Sequence, residues 1–171
     1  MKVLLTNYFG LESGGGGEVN TLMIARALQK KGIKVLIASI GGFAEIPVKK
    51  FNNAGLKTLS FQKNYLKNFL AKIIESEKIG LIHSMDRLTC AAAVLAAKEC
   101  KKPVVVSFND HWFLCPKSTC LDKKARICTE CSAGKLLKCL PLNRFPWELY
   151  KLSAIKGALK IIKQADAFTA V

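Results

Sequence analysis

The sequence predicts a doubly wound α/β domain, in which helices cover both faces of a parallel, Rossmann-like sheet. Two observations lead to this fold class. Short apolar runs alternate with longer runs of helical periodicity along most of the chain. The apolar runs also lack an alternating polar face, as expected of strands that are buried on both sides. The 171 residues correspond to one domain of ordinary size.

The first strand–helix–strand unit covers residues 2–40. Residues 2–6 are a short apolar run, and the glycines that follow lead into a helix over 18–31 with an apolar face. Lys31-Gly32 is a helix stop signal, and residues 34–40 form the next strand. This unit has the length that a right-handed crossover between parallel strands requires.

The alternation continues through the middle of the chain. The elements after the first unit are predicted as helix, strand and helix, and they cover residues 48–53, 56–61 and 65–78. The next three are predicted as strand, helix and strand, and they cover residues 81–84, 88–100 and 103–108. Three consecutive valines make the last of these the most β-rich segment.

The regular alternation breaks at residues 110–142, a predicted loop insertion that contains five of the seven cysteines. Beyond it, Pro146 suits the first turn of a helix that runs through Lys163. Its apolar stripe, which predicts the buried side of this helix, consists of Leu149, Leu152, Ile155, Leu159 and Ile162. Residues 167–171 begin another strand. Because the chain stops where a further element is expected, we expect it to be part of a longer protein.

The charge of the chain is strongly asymmetric. Its 27 Lys and Arg against 12 Asp and Glu give a net charge of +15, which predicts a negatively charged partner. No apolar run approaches the roughly 18 residues that a membrane span needs. The first apolar run is also too short for a secretory signal. We therefore expect a cytoplasmic protein, in which thiols stay reduced.

Four consecutive glycines, Gly14 to Gly17, lie between the first strand and its helix. Glycines let the backbone approach a ligand closely, and the N–H groups at a helix N-terminus bind phosphate. The pattern fits neither a dinucleotide fingerprint nor a P-loop, because Glu18 follows directly and the third glycine of the fingerprint is missing. A phosphate site is the favoured interpretation, and a flexible loop without a ligand is the alternative.

Several segments together resemble the first domain of family 4 glycosyltransferases, the retaining, nucleotide-sugar-dependent class with the GT-B fold of two facing Rossmann-like domains. The resemblance runs through the whole chain in order, and its segments are residues 1–5, 15–18, 24–35, 82–83, 102–107, 109–116 and 164–171. It implies a single N-terminal domain, residues 1–171, that receives a carbohydrate or lipid-linked acceptor. The C-terminal domain that holds most of the donor site has no counterpart here. The resemblance therefore implies a hexosyltransferase as a whole protein and an inactive fragment.

The resemblance also implies roles for particular residues. Gly15, Gly16 and Gly17 would contact the donor diphosphate across the domain boundary. Relatives usually carry His-Asp-Tyr-Trp where this chain has Asn109-Asp110-His111-Trp112. Asn109 and Asp110 are the predicted acceptor contacts, and Asp110 and His111 are the candidate catalytic groups, because asparagine cannot exchange protons. Asp110 fits a structural turn equally well.

The cysteines of residues 110–142 suggest a metal site. Cys128 and Cys131 have the two-residue gap of a metal knuckle, and Cys115 and Cys120 would complete a tetrahedron, with Cys139 as an alternate ligand. Four thiolates suit a structural zinc ion without catalytic function. Disulfides and reduced, buried thiols are the alternatives.

The last predicted helix places Lys156, Lys160 and Lys163 on one face, near Trp147 and Tyr150. This pattern suits an anionic membrane surface and a membrane-associated protein, and an ordinary solvated surface is the alternative. A zinc-stabilised, basic nucleic-acid-binding module is the rival function. Because the chain shows no nucleic-acid recognition motif, no nucleic-acid partner is expected.

Overall fold

The computed structural model describes residues 1–10, 14–42, 45–52, 59–141 and 144–170. Within these ranges, strands and helices alternate as predicted. The strands are β1 Lys2–Thr6, β2 Lys34–Ser39, β3 Val48–Lys50, β4 Leu81–Ser84, β5 Val104–Phe108 and β6 Ala167–Ala170. The helices are α1 Gly16–Lys30, α2 Leu59–Ser76, α3 Cys90–Glu99, α4 Ala133–Cys139 and α5 Phe145–Ile162.

The described strands form one parallel sheet in the order β3-β2-β1-β4-β5-β6. The chain winds outward from β1 in one direction and from β4 in the other. Because crossovers between parallel strands are right-handed, α1 and α3, which connect the strands of the two halves, lie on opposite faces of the sheet. The predicted doubly wound, Rossmann-like fold class is confirmed.

The central strands are buried on both faces, which explains their apolar runs. Leu4, Leu5, Ile37 and Ile82 are fully buried. The register pairs Leu4 with Ile82 between β1 and β4. Burial of side chains of this size stabilises each by about 2 kcal/mol relative to exposure, so these strands hold the fold together.

One predicted pair of elements is wrong. The segment predicted as a short helix over 48–53 contains the strand β3, in which Val48 pairs with Ile37 of β2. The strand predicted near 56–61 is also wrong, because α2 begins at Leu59. Residues 53 and 56–58 of these two predictions lie outside the described residues. Three residues are too few to show a period, so backbone pairing with β2 decides the state of β3.

The chain divides into two compact units. The first unit, Met1–Asn109 with Ile161–Val171, contains the sheet. The second unit, Asp110–Lys160, begins where the loop insertion was predicted and continues past residue 142 into α5.

Turns dominate the first part of the second unit. Residues 110–132 contain turns and one antiparallel bridge between Leu121 and Ile127, and the short helix α4 follows. Ser132 caps α4 by accepting a hydrogen bond from the Lys135 N–H at 3.3 Å. Across all described residues, no helix has the length and apolarity needed to cross a membrane.

Candidate functional site

The carboxyl ends of β1 and β4 define the candidate site. Chain winding reverses between these two strands, and ligands of open parallel sheets bind at such a switch point. Thr6 and Asn7 end one strand, while Ser84 and Met85 end the other. Polar backbone and side-chain groups therefore meet at the edge where the first unit can bind a ligand.

The predicted glycines lead directly to this edge. Gly14 adopts a left-handed conformation with φ of +69°, which glycine tolerates at little cost. Gly15 is the N-cap of α1, and its carbonyl accepts the Val19 N–H at 3.0 Å. The N–H groups of the first helical turn, including Gly16 and Gly17, have no carbonyl within the helix to bond. Together with the positive end of the helix dipole, these N–H groups are suited to an anion.

Glu18 belongs to the same helix end, although sequence reasoning assigned it no role. A methyl group at Gly15 would lie 2.2 Å from the Glu18 Oε2, so the carboxylate folds back over the N-cap. Glutamate at the third helical position does this in a capping box, and that spacing was the available signal. A bound diphosphate would have to share this helix end with the carboxylate.

Asn109 links the glycines to the neighbouring strand. Its Nδ2 donates to the Met85 carbonyl at 2.6 Å, and its Oδ1 accepts from the Asn20 Nδ2 at 3.0 Å. A methyl group at Gly17 would lie 4.0 Å from the Asn109 Nδ2. The structure therefore brings the predicted Asn109 against the predicted Gly17. Since its amide already has two internal partners, Asn109 fixes the start of α1 against the ends of β4 and β5.

A second amide, that of Asn7, connects α1 to the end of β1. Asn7 is buried and donates from Nδ2 to the Thr21 Oγ1 at 2.9 Å, and Thr21 donates to the Gly17 carbonyl at 2.7 Å. Among the described residues, the Asn7 Oδ1 has no hydrogen-bond partner although it is buried. This chain of bonds ties the first turn of α1 to the end of β1.

Asp86 is a polar residue of this edge that sequence reasoning missed. One carboxylate oxygen accepts the Leu88 and Thr89 N–H groups at 2.6 and 3.0 Å. The other accepts the Tyr8 N–H and the Thr89 hydroxyl, both at 2.8 Å. Desolvation by the protein raises the pKa of the Asp86 carboxyl, and these hydrogen bonds oppose that shift. An Asp shortly after a strand is a turn signal, because its carboxylate accepts the N–H groups two and three residues further on, and this signal would have identified it.

Asp110 and His111 belong to the second unit, and both are exposed. The Asp110 Oδ1 accepts the Trp112 N–H at 2.7 Å, as in an Asx turn. The His111 carbonyl accepts the N–H groups of Leu114 and Cys115, both at 3.0 Å. The predicted structural turn is therefore present, and the exposed Asp110 and His111 side chains remain candidates for contact with a substrate.

His83 lies at the end of β4 and has an internal partner. Its Nε2 is 2.7 Å from the Ser107 Oγ on β5. Desolvation by burial lowers the pKa of the His83 imidazole, so the neutral form is favoured. This is the arrangement of a satisfied core histidine.

The cysteines of the second unit are free thiols. Burial raises the pKa of Cys120, and the nearby thiols of Cys115 and Cys128 raise it further. Within the described ranges, however, no three His, Cys, Asp or Glu side chains are arranged so that they could hold a metal ion. The structure thus gives no support to the zinc site predicted at Cys115, Cys120, Cys128 and Cys131, with Cys139 as alternate. The backbone of residues 110–132 consists mainly of turns, so spacing along the chain alone does not fix where the sulfur atoms lie.

Comparison with solved structures shows which proteins share this fold. HepE from Anabaena, solved with UDP and glucose, is 16% identical with a TM-score of 0.54, and the match covers all of this chain and 44% of HepE. A Listeria monocytogenes protein described as a UDP-N-acetylglucosamine 2-epimerase is 15% identical with a TM-score of 0.55, covering 98% of this chain and 38% of its own. A glycosyltransferase from Rickettsia africae is 16% identical with a TM-score of 0.50, covering 99% of this chain and 68% of its own.

These likenesses show a shared fold, and the fold serves more than one activity, since an epimerase and a glycosyltransferase both have it. No curated protein matches the sequence. The sequence model of Glycosyltransferase Family 4 matches residues 14–171. The chain belongs to this family, as the resemblance predicted. The family match favours a glycosyltransferase domain over the rival nucleic-acid-binding module.

Proposed function

We propose that the chain is the acceptor-side domain of a retaining, nucleotide-sugar-dependent glycosyltransferase of the hexosyltransferase type. The observation that supports this proposal best is the start of α1, where Gly15, Gly16 and Gly17 lie at the switch point of the sheet. The likeness to HepE, whose structures contain UDP, glucose and UDP-glucose, supports a nucleotide-sugar donor.

The first turn of α1 would act on the donor diphosphate. When the bond between sugar and phosphate breaks, negative charge develops on the departing diphosphate. Backbone N–H groups already aimed at that position stabilise this charge without reorganising, which is the basis of oxyanion-type catalysis. The Asn109 and Asn7 hydrogen bonds hold these N–H groups in place. We expect the Glu18 carboxylate to turn aside when the diphosphate binds.

The acceptor would be a carbohydrate or a lipid-linked sugar that contacts Asn109 and Asp110. The Asp110 Oδ1 accepts a backbone N–H, which fixes the carboxylate, and this exposed group remains available to an acceptor hydroxyl. Histidine exchanges protons near neutral pH, so His111 is the candidate for handling the proton of that hydroxyl. A companion donor-binding domain would supply most of the nucleotide contacts. We therefore expect the isolated chain to bind a nucleoside diphosphate weakly and to be inactive in transfer.

The Gly16→Ala variant tests this proposal. A methyl group at Gly16 would meet nothing within 4 Å, so the variant is expected to fold normally and place the methyl group in the space that a phosphate needs. Titration of the chain with UDP, followed by NMR of the backbone amides, should shift the signals of Gly16 and Gly17. The variant should bind about tenfold more weakly, since each 1.4 kcal/mol is tenfold in affinity.

Gly134→Ala is the matched control, because Gly134 also lies in the first turn of a helix and has open space for a methyl group. It should leave UDP binding unchanged. Equal binding by Gly16→Ala and the original chain would contradict the proposed diphosphate site. Amide shifts confined to residues away from α1 would contradict it as well.

A further inference from the structure

The second unit exposes apolar side chains and positive charge together. Residues 110–160 contain 10 Lys and Arg against 4 Asp and Glu, a net charge of +6 in 51 residues. The remaining 120 residues have a net charge of +9. Of the twelve large hydrophobic side chains that the described residues expose, seven lie in this unit: Leu114, Leu121, Ile127, Leu137, Trp147, Leu149 and Tyr150. Such a concentration on a small unit indicates an interaction surface.

Helix α5 carries the best-defined part of this surface. Trp147 is 60% exposed, and its ring stacks on that of Tyr150 with centroids 5.6 Å apart. Leu149 is 37% exposed, although the helical stripe predicted it as a core residue. Leu152, three residues further along, is buried. The first turns of α5 therefore present two aromatic rings and an aliphatic side chain to the solvent.

The following turns of α5 present positive charge on the exposed side. Lys156 and Lys160 are exposed and lie seven and eleven residues after Leu149, on the same face of the helix. Among the described residues, neither lysine takes part in an ion pair, whereas Lys151 is paired with Glu148 at 2.8 Å. We name this set, Trp147, Leu149, Tyr150, Lys156 and Lys160, the aromatic–basic face. It covers the exposed half of the α5 surface, with Trp147 at one edge and Lys156 at the other.

We infer that the aromatic–basic face docks on a bilayer surface that contains anionic phospholipid. Trp and Tyr prefer the boundary between headgroups and acyl chains, where one part of the ring is apolar and the other is wet. The lysines of the following turns are attracted to the negative headgroups. A second copy of the chain does not suit this face, because its net charge is also +15. Leu149 favours lipid over nucleic acid, since bases stack on aromatic rings and an aliphatic side chain offers them no such ring.

This inference is independent of the proposed catalytic function, because it concerns binding to lipid alone. The test is sedimentation of the chain with vesicles, comparing pure phosphatidylcholine with a mixture that contains phosphatidylglycerol. The chain should bind the mixed vesicles at low salt, release them at high salt and ignore the neutral vesicles. Absence of binding to the mixed vesicles at low salt would overturn the inference.

Charge variants assign the binding to α5. Lys156→Gln combined with Lys160→Gln should weaken binding roughly 30-fold, since a lysine near an anionic surface contributes about 1 kcal/mol. The matched control is Lys72→Gln combined with Lys30→Gln, which removes the same charge from exposed positions of the first unit, one within a helix and one in a last turn. Equal weakening by both pairs would show a response to net charge alone and overturn the assignment.

Two further measurements distinguish lipid insertion from other binding. The emission of Trp147 should shift to shorter wavelength with the mixed vesicles, and Trp147→Phe should abolish that shift while Trp112 remains. Competition with single-stranded DNA at the same salt concentration gives the other comparison. If DNA displaces the vesicles and the Lys156 and Lys160 variants lose DNA binding to the same extent, the face binds nucleic acid and the inference is wrong.

Discussion

The two units differ in what holds them together. In the first unit, Leu4, Leu5 and Ile82 are fully buried and the strands pair over most of their length. In the described part of the second unit, one isolated bridge, the short helix α4 and most of α5 accompany exposed residues such as Ile127, which is 83% exposed. Among the described residues, the first unit thus holds most of the buried core, while the second exposes more of its large hydrophobic side chains. Substitutions of the same chemical type should therefore have unequal effects in the two units.

The largest contrast is expected between two aspartates that both follow strands. Asp86→Ala removes the acceptor of three backbone N–H groups and one hydroxyl, so it should lower the free energy of unfolding by about 3 kcal/mol. Asp110→Ala disrupts an exposed turn and should cost about 1 kcal/mol or less. Urea unfolding of both variants measures the difference. Equal losses would mean that Asp86 is not a structural cap.

Two glycines provide the next contrast. A methyl group at Gly41 would lie 2.4 Å from the Gly10 Cα, so Gly41→Ala forces two backbone segments apart and should cost about 2 kcal/mol. Gly157, within α5, has nothing within 4 Å of the added methyl group. Gly157→Ala should therefore stabilise by about 0.5 to 1 kcal/mol through helix propensity. Thermal melting of the two variants should shift in opposite directions, and a loss of stability in both would contradict the structure.

Cysteine labelling separates the units by accessibility. Cys90 is buried in the first unit, and desolvation strongly raises the pKa of its thiol. Cys128 and Cys131 in the second unit are only partly buried. Iodoacetamide should modify Cys90 at least about tenfold more slowly than these two, because the thiolate is the reacting form. Mass spectrometry of peptides gives the rates.

The same labelling tests the predicted metal. If Cys128 and Cys131 become reactive only after a chelator is added, a bound metal protects them. That outcome would contradict the arrangement described here, in which both thiols are free.

The smallest expected effect is a pH dependence of the first unit. Lys2 and Lys49 bond the Glu77 carboxylate and lower its pKa to about 2. A depressed carboxyl pKa contributes stability above the unfolded value of 4.5, and this contribution is lost as the pH falls toward 2. The free energy of unfolding, measured between pH 5 and pH 2, should decline less steeply with falling pH in Glu77→Gln than in the original chain. Glu130, in the second unit, is paired with one lysine, Lys135, instead of two. Glu130→Gln should therefore change the pH dependence of the free energy of unfolding less than Glu77→Gln does.

Most of the fold followed from patterns that are local in sequence. The strands β1 and β2 begin where the apolar runs begin, because burial on both faces leaves a run of Val, Leu and Ile. The helix predicted to include residues 48–50 was wrong, because pairing with β2 makes these residues a strand. The burial predicted for Leu149 was wrong for a related reason. Periodicity shows which residues share a face of a helix, but not which turns of that face other parts of the protein bury.

The candidate site was predictable only in part. The glycines and Asn109 are visible in the sequence as a helix start and a strand end. Their contact is not visible, because it depends on Asn20 and Met85, which come from two other elements. The role of Asp86 could have been predicted from an Asp in the turn between a strand and a helix. It was overlooked because such a turn carries no distinctive motif beyond that position.

The two hydrogen bonds of the Asn109 amide connect the start of α1 to the residue that precedes Asp110. The Asn109 amide accepts a hydrogen bond from Asn20 of α1. Its backbone is joined by one peptide bond to Asp110, where the second unit starts. If a ligand shifted the glycine turn, we would expect Asn109, and with it the backbone next to Asp110, to shift as well. Donor occupancy and acceptor affinity would then be thermodynamically linked, and each substrate would change the binding of the other by the same factor.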